Sequence, residues 1–251
     1  MTGASGGIGE AYARKLAAQG TDLVLVARSG DALERLAAEL RHGSSVQCEV
    51  LPADLTTDLG IHAVEERVGD VDLLVNNAGY GISEHLADVD PDDIEGMIRL
   101  NVLALARLTR AALPPMLARN HGAIVNVSSV AGFQPSPSFA TYNATKAFVT
   151  MFTEALSLEV KGTGVRVQAL CPGLTRTNFQ ARAGETGTSD LPNLMWQTAE
   201  EVVDASLAGL RRGSVIVVPG IHNKVLVTGS SMLPNGIKRR LAGAVMKRRG
   251  R

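Results

Sequence analysis

The stretch Thr2-Gly3-Ala4-Ser5-Gly6-Gly7-Ile8-Gly9 decides how the chain is expected to fold, because its glycines stand directly before a helix-like run from Glu10 to Gln19. Glycines let the backbone take angles that other residues avoid, and they let a phosphate approach the backbone N–H groups. The positive end of the following helix stabilises such an anion. The pattern therefore predicts a phosphate-binding turn, with a plain glycine-rich loop as the alternative.

Apolar strand-like runs alternate with helix-like segments along the rest of the chain. We expect strands at 22–27, 46–52, 71–75, 123–127, 165–170 and 215–218, and helices at 31–40, 58–67, 91–119, 139–160 and 199–210. Strict alternation predicts an α/β fold with a doubly wound parallel sheet and helices on both faces. Ligands of such sheets bind at the carboxyl ends of the strands.

The composition fits one catalytic domain, residues 1–233, followed by a tail, residues 234–251. The chain has 251 residues, of which 45% are hydrophobic and 20% are charged, and its formal net charge is zero. That balance argues against a nucleic-acid partner, and the five histidines show no metal-ligand spacing. The two cysteines lie in apolar stretches, and no apolar run approaches the roughly 18 residues of a membrane span. We expect a cytoplasmic protein.

The tail is strongly basic. The last fourteen residues hold seven cations and no acid, and Ile237, Leu241, Val245 and Met246 have a helix-compatible apolar spacing. Such a segment could lie on an anionic bilayer, which predicts peripheral membrane contact. A solvated tail is the alternative.

Tyr142 and Lys146 stand four residues apart within the predicted helix 139–160, so both side chains would share one face. A free phenol has a pKa of about 10, and a neighbouring cation favours its ionised form. Ser129 supplies a third polar group. The pair is suited to proton transfer, although an ordinary surface pair has the same spacing.

Further motifs accompany this pair. They are Asn76-Asn77-Ala78-Gly79, Asn101, Asn126-Val127-Ser128-Ser129, and Pro172-Gly173 before Thr177. With them, from residue 2 to about residue 180, the chain resembles the short-chain dehydrogenase/reductase family. The resemblance implies a single-domain Rossmann-type fold and an oxidoreductase that interconverts a carbonyl and a secondary alcohol.

The resemblance also implies roles for four residues. Tyr142 would protonate the substrate oxygen, and Lys146 would lower the phenol pKa and hydrogen-bond the nicotinamide ribose. Ser129 would hold the substrate oxygen, and Asn101 would anchor a water that leads from Lys146 to solvent.

Cofactor contacts are implied at the carboxyl ends of several strands. Gly3, Ser5, Ile8 and Gly9 would contact the pyrophosphate and ribose, and Asp54 the adenine. Asn77 and Ala78 would contact the adenosine by backbone, and Leu174 with Thr177 would contact the carboxamide. The remaining implied contacts are Leu55, Gly79, Pro172, Gly173, Tyr142 and Lys146. Asp54 could instead cap the helix that follows it.

The end of strand 22–27 indicates which nicotinamide cofactor is used. An NAD-preferring site carries an acid there to hold the ribose hydroxyls, whereas this chain has Ala27, Arg28 and Ser29. Arg28 offers a planar cation suited to a 2'-phosphate, and Ser29 adds a donor. We therefore expect NADP, with Arg28 as an ordinary solvated charge in the alternative.

Residues 176–197 predict a substrate lid, whose apolar side chains favour a hydrophobic or acyl-bearing carbonyl compound. These side chains are Phe179, Leu191, Leu194, Met195 and Trp196. The alternative is that they only pack the lid onto the body of the protein. Helices 91–119 and 139–160 are apolar around their circumference, which predicts a homodimer or homotetramer, with loops that cover the second face as the alternative. The expected function is an NADP(H)-dependent ketoreductase. An NAD-dependent alcohol dehydrogenase and a non-catalytic dinucleotide-binding sensor or scaffold are the alternatives.

One departure from the family concerns Met1-Thr2-Gly3, where relatives have an apolar strand before the glycine turn. Only Met1 and Thr2 precede Gly3 here, so that first strand is expected to be missing. Because such a strand is central in a doubly wound sheet, we expect the natural polypeptide to begin upstream.

Overall fold

Parallel strands alternate with helices in the computed structural model, which describes residues 1–184, 192–232 and 236–237. The strands are β1 Leu23–Ala27, β2 Cys48–Pro52, β3 Leu73–Asn76, β4 Gly122–Val127, β5 Val165–Leu170 and β6 Ile216–Val217. The helices are α1 Gly7–Ala17, α2 Gly30–Ser44, α3 Asp58–Arg67, α4 Pro91–Ile98, α5 Leu105–Ala118, α6 Ala140–Glu159, α7 Phe179–Arg182, α8 Ala199–Arg211 and α9 Ile221–Met232. The α/β class with a parallel, Rossmann-like sheet is confirmed.

The strands form two parallel segments. One has the order β3-β4-β5-β6 and the other pairs β1 with β2. Residues at the amino end of the chain hydrogen-bond both segments, since Thr2 N donates to Val75 O at 3.0 Å and Val26 N donates to Met1 O at 2.9 Å. The glycine turn therefore starts at the carboxyl ends of β1 and β3.

Helices cover both faces of the sheet because successive strand residues point to opposite sides. Leu74 and Ile124 belong to one buried apolar cluster, which includes residues of α3, α5 and α6. Val75 and Val125, their neighbours in sequence, belong to a second cluster, which includes residues of α1, α2 and α8. This burial fixes the strand register and so aligns the carboxyl ends that carry the predicted site.

One helix prediction needs correction, and the helices α7 and α9 were not predicted. The predicted helix 91–119 is interrupted by a π-helix, Arg99–Ala104, between α4 and α5. A π-turn inserts an extra residue per turn, which an apolar periodicity does not reveal. Helix α9 was not predicted, because Val225, Val227 and Thr228 are β-branched and lower helix propensity.

Among the described residues, no helix is both long and apolar enough to cross a bilayer. Most of the predicted tail and part of the predicted lid, residues 185–191, lie outside the described residues.

Candidate active site

The glycine turn has the shape that the sequence predicts. Gly3 and Gly7 have φ values of +66° and +58°, which favour glycine. A Cβ at Gly9 would lie 2.2 Å from Gly3 O, so this position also requires glycine. At Gly6, the N-cap of α1, a Cβ would meet no described atom within 4 Å. The first turn of α1 thus offers its N–H groups to an anion.

Thr2 joins this turn to the end of β3, a role that sequence reasoning missed. Its buried Oγ1 accepts hydrogen bonds from Asn77 N and Ala78 N, both at 3.0 Å. In return, Asn77 Nδ2 donates to Thr2 O and Gly3 O at 3.1 and 3.2 Å. Since both N–H groups are engaged, any backbone contact of Asn77 and Ala78 with a cofactor would use their carbonyl oxygens.

The end of β1 is polar and positively charged. Arg28 and Ser29 are exposed, and Ser29 Oγ caps α2 by accepting from Ala32 N at 3.4 Å. Partial desolvation acts to raise the pKa of Asp54. Hydrogen bonds from Thr56 and the charge of Arg28 outweigh it, so that this pKa lies below its ordinary value.

Asp54 does not cap α3. Its Oδ1 accepts from the backbone and hydroxyl of Thr56 at 2.9 and 2.8 Å. The cap is Thr57, whose Oγ1 accepts from Gly60 N at 3.1 Å. The sequence alone does not show whether Asp54 or Thr57 caps α3, because aspartate and threonine both serve as helix caps. The side chain of Leu55, predicted to contact the cofactor, is buried in the core.

Tyr142 and Lys146 lie in the first two turns of α6, on one face of the helix as their spacing predicts. Both side chains are also buried, which the spacing alone does not predict. Lys146 Nζ lies 5.8 Å from the centre of the Tyr142 ring and donates to Val127 O at 2.9 Å. Burial lowers the pKa of Lys146 from its ordinary 10.5 to about 8. Burial therefore brings the pKa of the Lys146 ammonium closer to neutral pH, so that this group can exchange a proton more readily than an exposed lysine.

Asn101 lies in the π-helix and faces this pair. Its Nδ2 donates to Tyr80 O at 2.9 Å and to Thr145 Oγ1 at 3.1 Å, while its Oδ1 accepts from Tyr80 N at 3.1 Å. A Cβ at Gly79 would lie 2.9 Å from Asn101 Oδ1 and 3.5 Å from Lys146 Nζ. The absence of a side chain at Gly79 therefore lets Asn101 and Lys146 approach each other.

Ser129 follows β4 and caps a short 3-10 helix, Val130–Phe133, by accepting from Ala131 N at 3.1 Å. This turn packs directly on α6, since a Cβ at Gly132 would lie 2.8 Å from the carbonyl carbon of Lys146. Ser129 is thereby held beside the segment that carries the tyrosine and the lysine.

The segment after β5 closes the site on the side of the glycine turn. Pro172 O accepts from Val130 N at 3.0 Å, and Leu174 O accepts from Gln197 N at 3.0 Å. Thr177 packs on the turn, because a Cβ at Gly7 would lie 3.1 Å from Thr177 Cγ2. The structure thus brings the predicted residues of this segment to the same edge of the sheet.

Aromatic rings surround Tyr142. The Phe139 and Phe179 ring centres lie 6.1 and 5.5 Å from its own. A Cβ at Gly81 would lie 3.0 Å from Tyr142 Cδ2 and 3.1 Å from Phe179 Cζ, so glycine leaves room for both rings. Sequence analysis missed Phe139 and Gly81, which precede and follow recognised motifs.

These residues fit a bound dinucleotide. The glycine turn and the uncovered start of α1 suit a pyrophosphate, and the buried Lys146 lies at the far end of the same edge. In the part of the chain that the structure describes, no cluster of three or more histidine, cysteine or acidic side chains could hold a metal ion.

A parallel α/β fold with a phosphate-binding turn and a tyrosine–lysine pair defines a nucleotide-dependent oxidoreductase. The family model described as short chain dehydrogenase matches residues 1–188. The chain belongs to the short-chain dehydrogenase/reductase family of oxidoreductases. Solved structures similar to this chain include members in complex with NADPH and with NAD.

The chain is similar to a protein known by its sequence and to two proteins of solved structure. The chain is 38% identical over 187 residues to a very-long-chain 3-oxoacyl-CoA reductase from Anas platyrhynchos, a match that covers 71% of this chain and 60% of that protein. It is 40% identical, with a TM-score of 0.85, to a short-chain dehydrogenase from Sphingobium yanoikuyae in complex with NADPH, covering 97% and 94% of the two chains. A bulky-bulky ketone specific alcohol dehydrogenase from Comamonas testosteroni is 33% identical, with a TM-score of 0.80 and 93% of each chain covered.

Proposed function

We propose that the protein is an NADPH-dependent reductase that converts a hydrophobic, bulky or acyl-bearing ketone into a secondary alcohol. The observation that carries the proposal is the buried Tyr142–Lys146 pair, held at the strand ends beside the glycine turn. A sensor or scaffold on this fold would have no need of a buried, proton-transferring pair.

In this mechanism the bound nicotinamide supplies the hydride, and residues of the protein handle the proton. Tyr142 would donate its phenolic proton to the carbonyl oxygen, and the Ser129 hydroxyl would hydrogen-bond the same oxygen to orient the substrate. Lys146 would return a proton toward Tyr142, which its pKa of about 8 favours. Asn101 would use the second lone pair of Oδ1 to hold a water that connects Lys146 with solvent.

NADPH is proposed over NADH because the end of β1 carries Arg28 and Ser29 in place of an acid. The Ser29 hydroxyl accepts one hydrogen bond as a helix cap and keeps its own hydrogen to donate. The similar Sphingobium structure contains NADPH. The NAD-dependent alternative predicts no loss of cofactor discrimination when Arg28 is changed.

A hydrophobic substrate is proposed because Phe139 and Phe179 flank Tyr142. Two of the three named relatives act, by their descriptions, on a 3-oxoacyl thioester and on bulky ketones. Both descriptions name a carbonyl compound with a large substituent.

The test is NADPH oxidation with a panel of ketones graded from small to bulky, together with a 3-oxoacyl thioester. We expect turnover that favours the apolar, bulky members. Cofactor binding without turnover of any carbonyl compound would instead favour the sensor alternative.

We also propose a homo-oligomer formed through α5 and α6. Met151 and Leu158 of α6 are 67% and 74% exposed, and Phe148 stacks on Phe152 with ring centres 5.6 Å apart. Light scattering should give the mass of a dimer or tetramer, and Met151→Glu should reduce it.

Residues 1–233 are proposed to act as one catalytic domain, with 234–251 as a tail that contacts membranes. A cytoplasmic location is proposed because Cys48 and Cys171 are free and buried, as in a reducing compartment.

A further inference from the structure

Helix α9 presents an apolar stripe to its surroundings. Ile221 is 76% exposed and Val225 is 66% exposed, and their spacing of four residues places them on one face. Leu226, at 40% exposed, flanks the stripe. The opposite side of the helix carries Asn223 and Val227, which are buried against the protein. Such exposure is unusual for residues of this type in a well-packed helix.

The helix is firmly attached. Asn223 Nδ2 donates to Gln197 Oε1 at 3.0 Å and to Pro219 O at 2.8 Å. The Asn223 amide also packs over Gly173, where a Cβ would lie 2.3 Å from Asn223 Oδ1. The stripe is therefore fixed relative to the candidate active site and to Gln197, where the predicted lid ends.

Charge is distributed unevenly along the chain. No acidic residue follows Asp204, whereas residues 205–251 contain ten cations. They are Arg211, Arg212, Lys224, Lys238, Arg239, Arg240, Lys247, Arg248, Arg249 and Arg251. Because the whole chain balances at 25 charges of each sign, residues 1–204 carry a formal charge of −10. Lys224, on α9 itself, is exposed next to the stripe.

We propose that α9 docks on an anionic lipid bilayer, with Ile221 and Val225 in the interface and Lys224 beside the lipid phosphates. The ten cations in the sequence of residues 205–251 would attract this end of the chain to an anionic surface. An apolar helix face combined with clustered cations is the combination that such a surface binds. A second copy of the chain would bring two cationic segments together, and their repulsion disfavours it. The formal charge of residues 1–204 would orient the catalytic part away from the bilayer.

This inference does not depend on the proposed reductase activity, and it extends the proposed tail contact to a folded helix. It has one consequence for that activity. Since Asn223 and Gln197 are hydrogen-bonded, docking through α9 holds the end of the lid near the bilayer. Leu194, in the same segment, is 84% exposed. An apolar substrate would then enter from the lipid.

The test is co-sedimentation of the full chain with phosphatidylcholine vesicles that contain or lack phosphatidylglycerol. We expect binding to the anionic vesicles that weakens as salt is added. The double variant Ile221→Asp with Val225→Asp should bind them at least about tenfold more weakly, because the apolar contribution is lost. Leu59→Asp, at an 81% exposed position on α3, is the matched control and should bind like wild type.

Three binding results would overturn the proposal. They are no wild-type binding to anionic vesicles, equal binding to neutral ones, and unchanged binding by the double variant. Light scattering and thermal unfolding of the same proteins complete the test, since all three positions are exposed and the variants should fold. A double variant that loses oligomer mass would show that the stripe covers a second copy instead.

Discussion

Lys146 Nζ lies 5.8 Å from the centre of the Tyr142 ring, and its hydrogen bond to Val127 O ties α6 to the end of β4. The lysine is 5% exposed. A cation held this deep in the protein loses much of its hydration, which is the main reason that its pKa falls. This relationship links the stability of the fold to the proton chemistry proposed for the site.

The first prediction concerns pH. The pKa of Lys146 is about 8 in the folded protein and 10.5 in its ordinary state, so between these values the unfolded chain binds more protons. The lysine therefore makes the free energy of unfolding rise with pH across this window, at up to about 1.4 kcal/mol per pH unit. Lys146→Met should remove that rise, measured by urea unfolding of the cofactor-free protein. Equal slopes for variant and wild type would contradict the burial argument.

Much of this site follows from local sequence. The glycine turn, the tyrosine–lysine spacing and the placement of the motifs at strand ends all follow from local geometry and alternation. Helix α3 and strand β5 have the predicted bounds, since apolar residues and turn signals mark both ends.

Features that depend on contacts between distant segments were not predicted. The π-helix around Asn101 is stabilised by hydrogen bonds to Tyr80 and Thr145 that local periodicity does not reveal. The cap of α3, by contrast, is a local choice between Asp54 and Thr57 that the sequence leaves open, because both residue types serve as caps. Helix α9 forms because Asn223 and Val227 find buried positions, which overrides weak helix propensity.

Thr2→Ala should destabilise the protein by about 2 kcal/mol or more, because two backbone N–H groups lose their acceptor and each costs about 1–3 kcal/mol if unsatisfied. Thr2→Ser keeps the oxygen and should stay near wild type in urea unfolding. Matching midpoints for the alanine and serine variants would show that the two hydrogen bonds contribute little.

Arg28→Asp should lower the preference for NADPH over NADH by at least about tenfold, since a charge-assisted hydrogen bond contributes about 1.5–3 kcal/mol and its replacement repels the phosphate. The measurement is kcat/KM with each cofactor. Arg35→Asp, an exposed arginine of α2, controls for the change in net charge. An unaltered ratio in the Arg28 variant would place the phosphate elsewhere.

Phe179→Ala should raise kcat/KM for bulky ketones relative to small ones, by about tenfold, because the ring that packs on Tyr142 is removed. Phe148→Ala, on the outer side of α6, should leave this ratio unchanged. If both variants keep the wild-type ratio, Phe179 does not limit substrate size.

Tyr142 is proposed to supply the proton for carbonyl reduction. The test compares NADPH oxidation by wild type and by Tyr142→Phe with the best ketone of the panel. A positioned proton donor contributes about 10² to 10⁴ in rate, so kcat should fall by at least about 10². NADPH affinity, measured by fluorescence titration, should stay close to wild type. Turnover within a factor of about three of wild type would show that Tyr142 does not supply the proton.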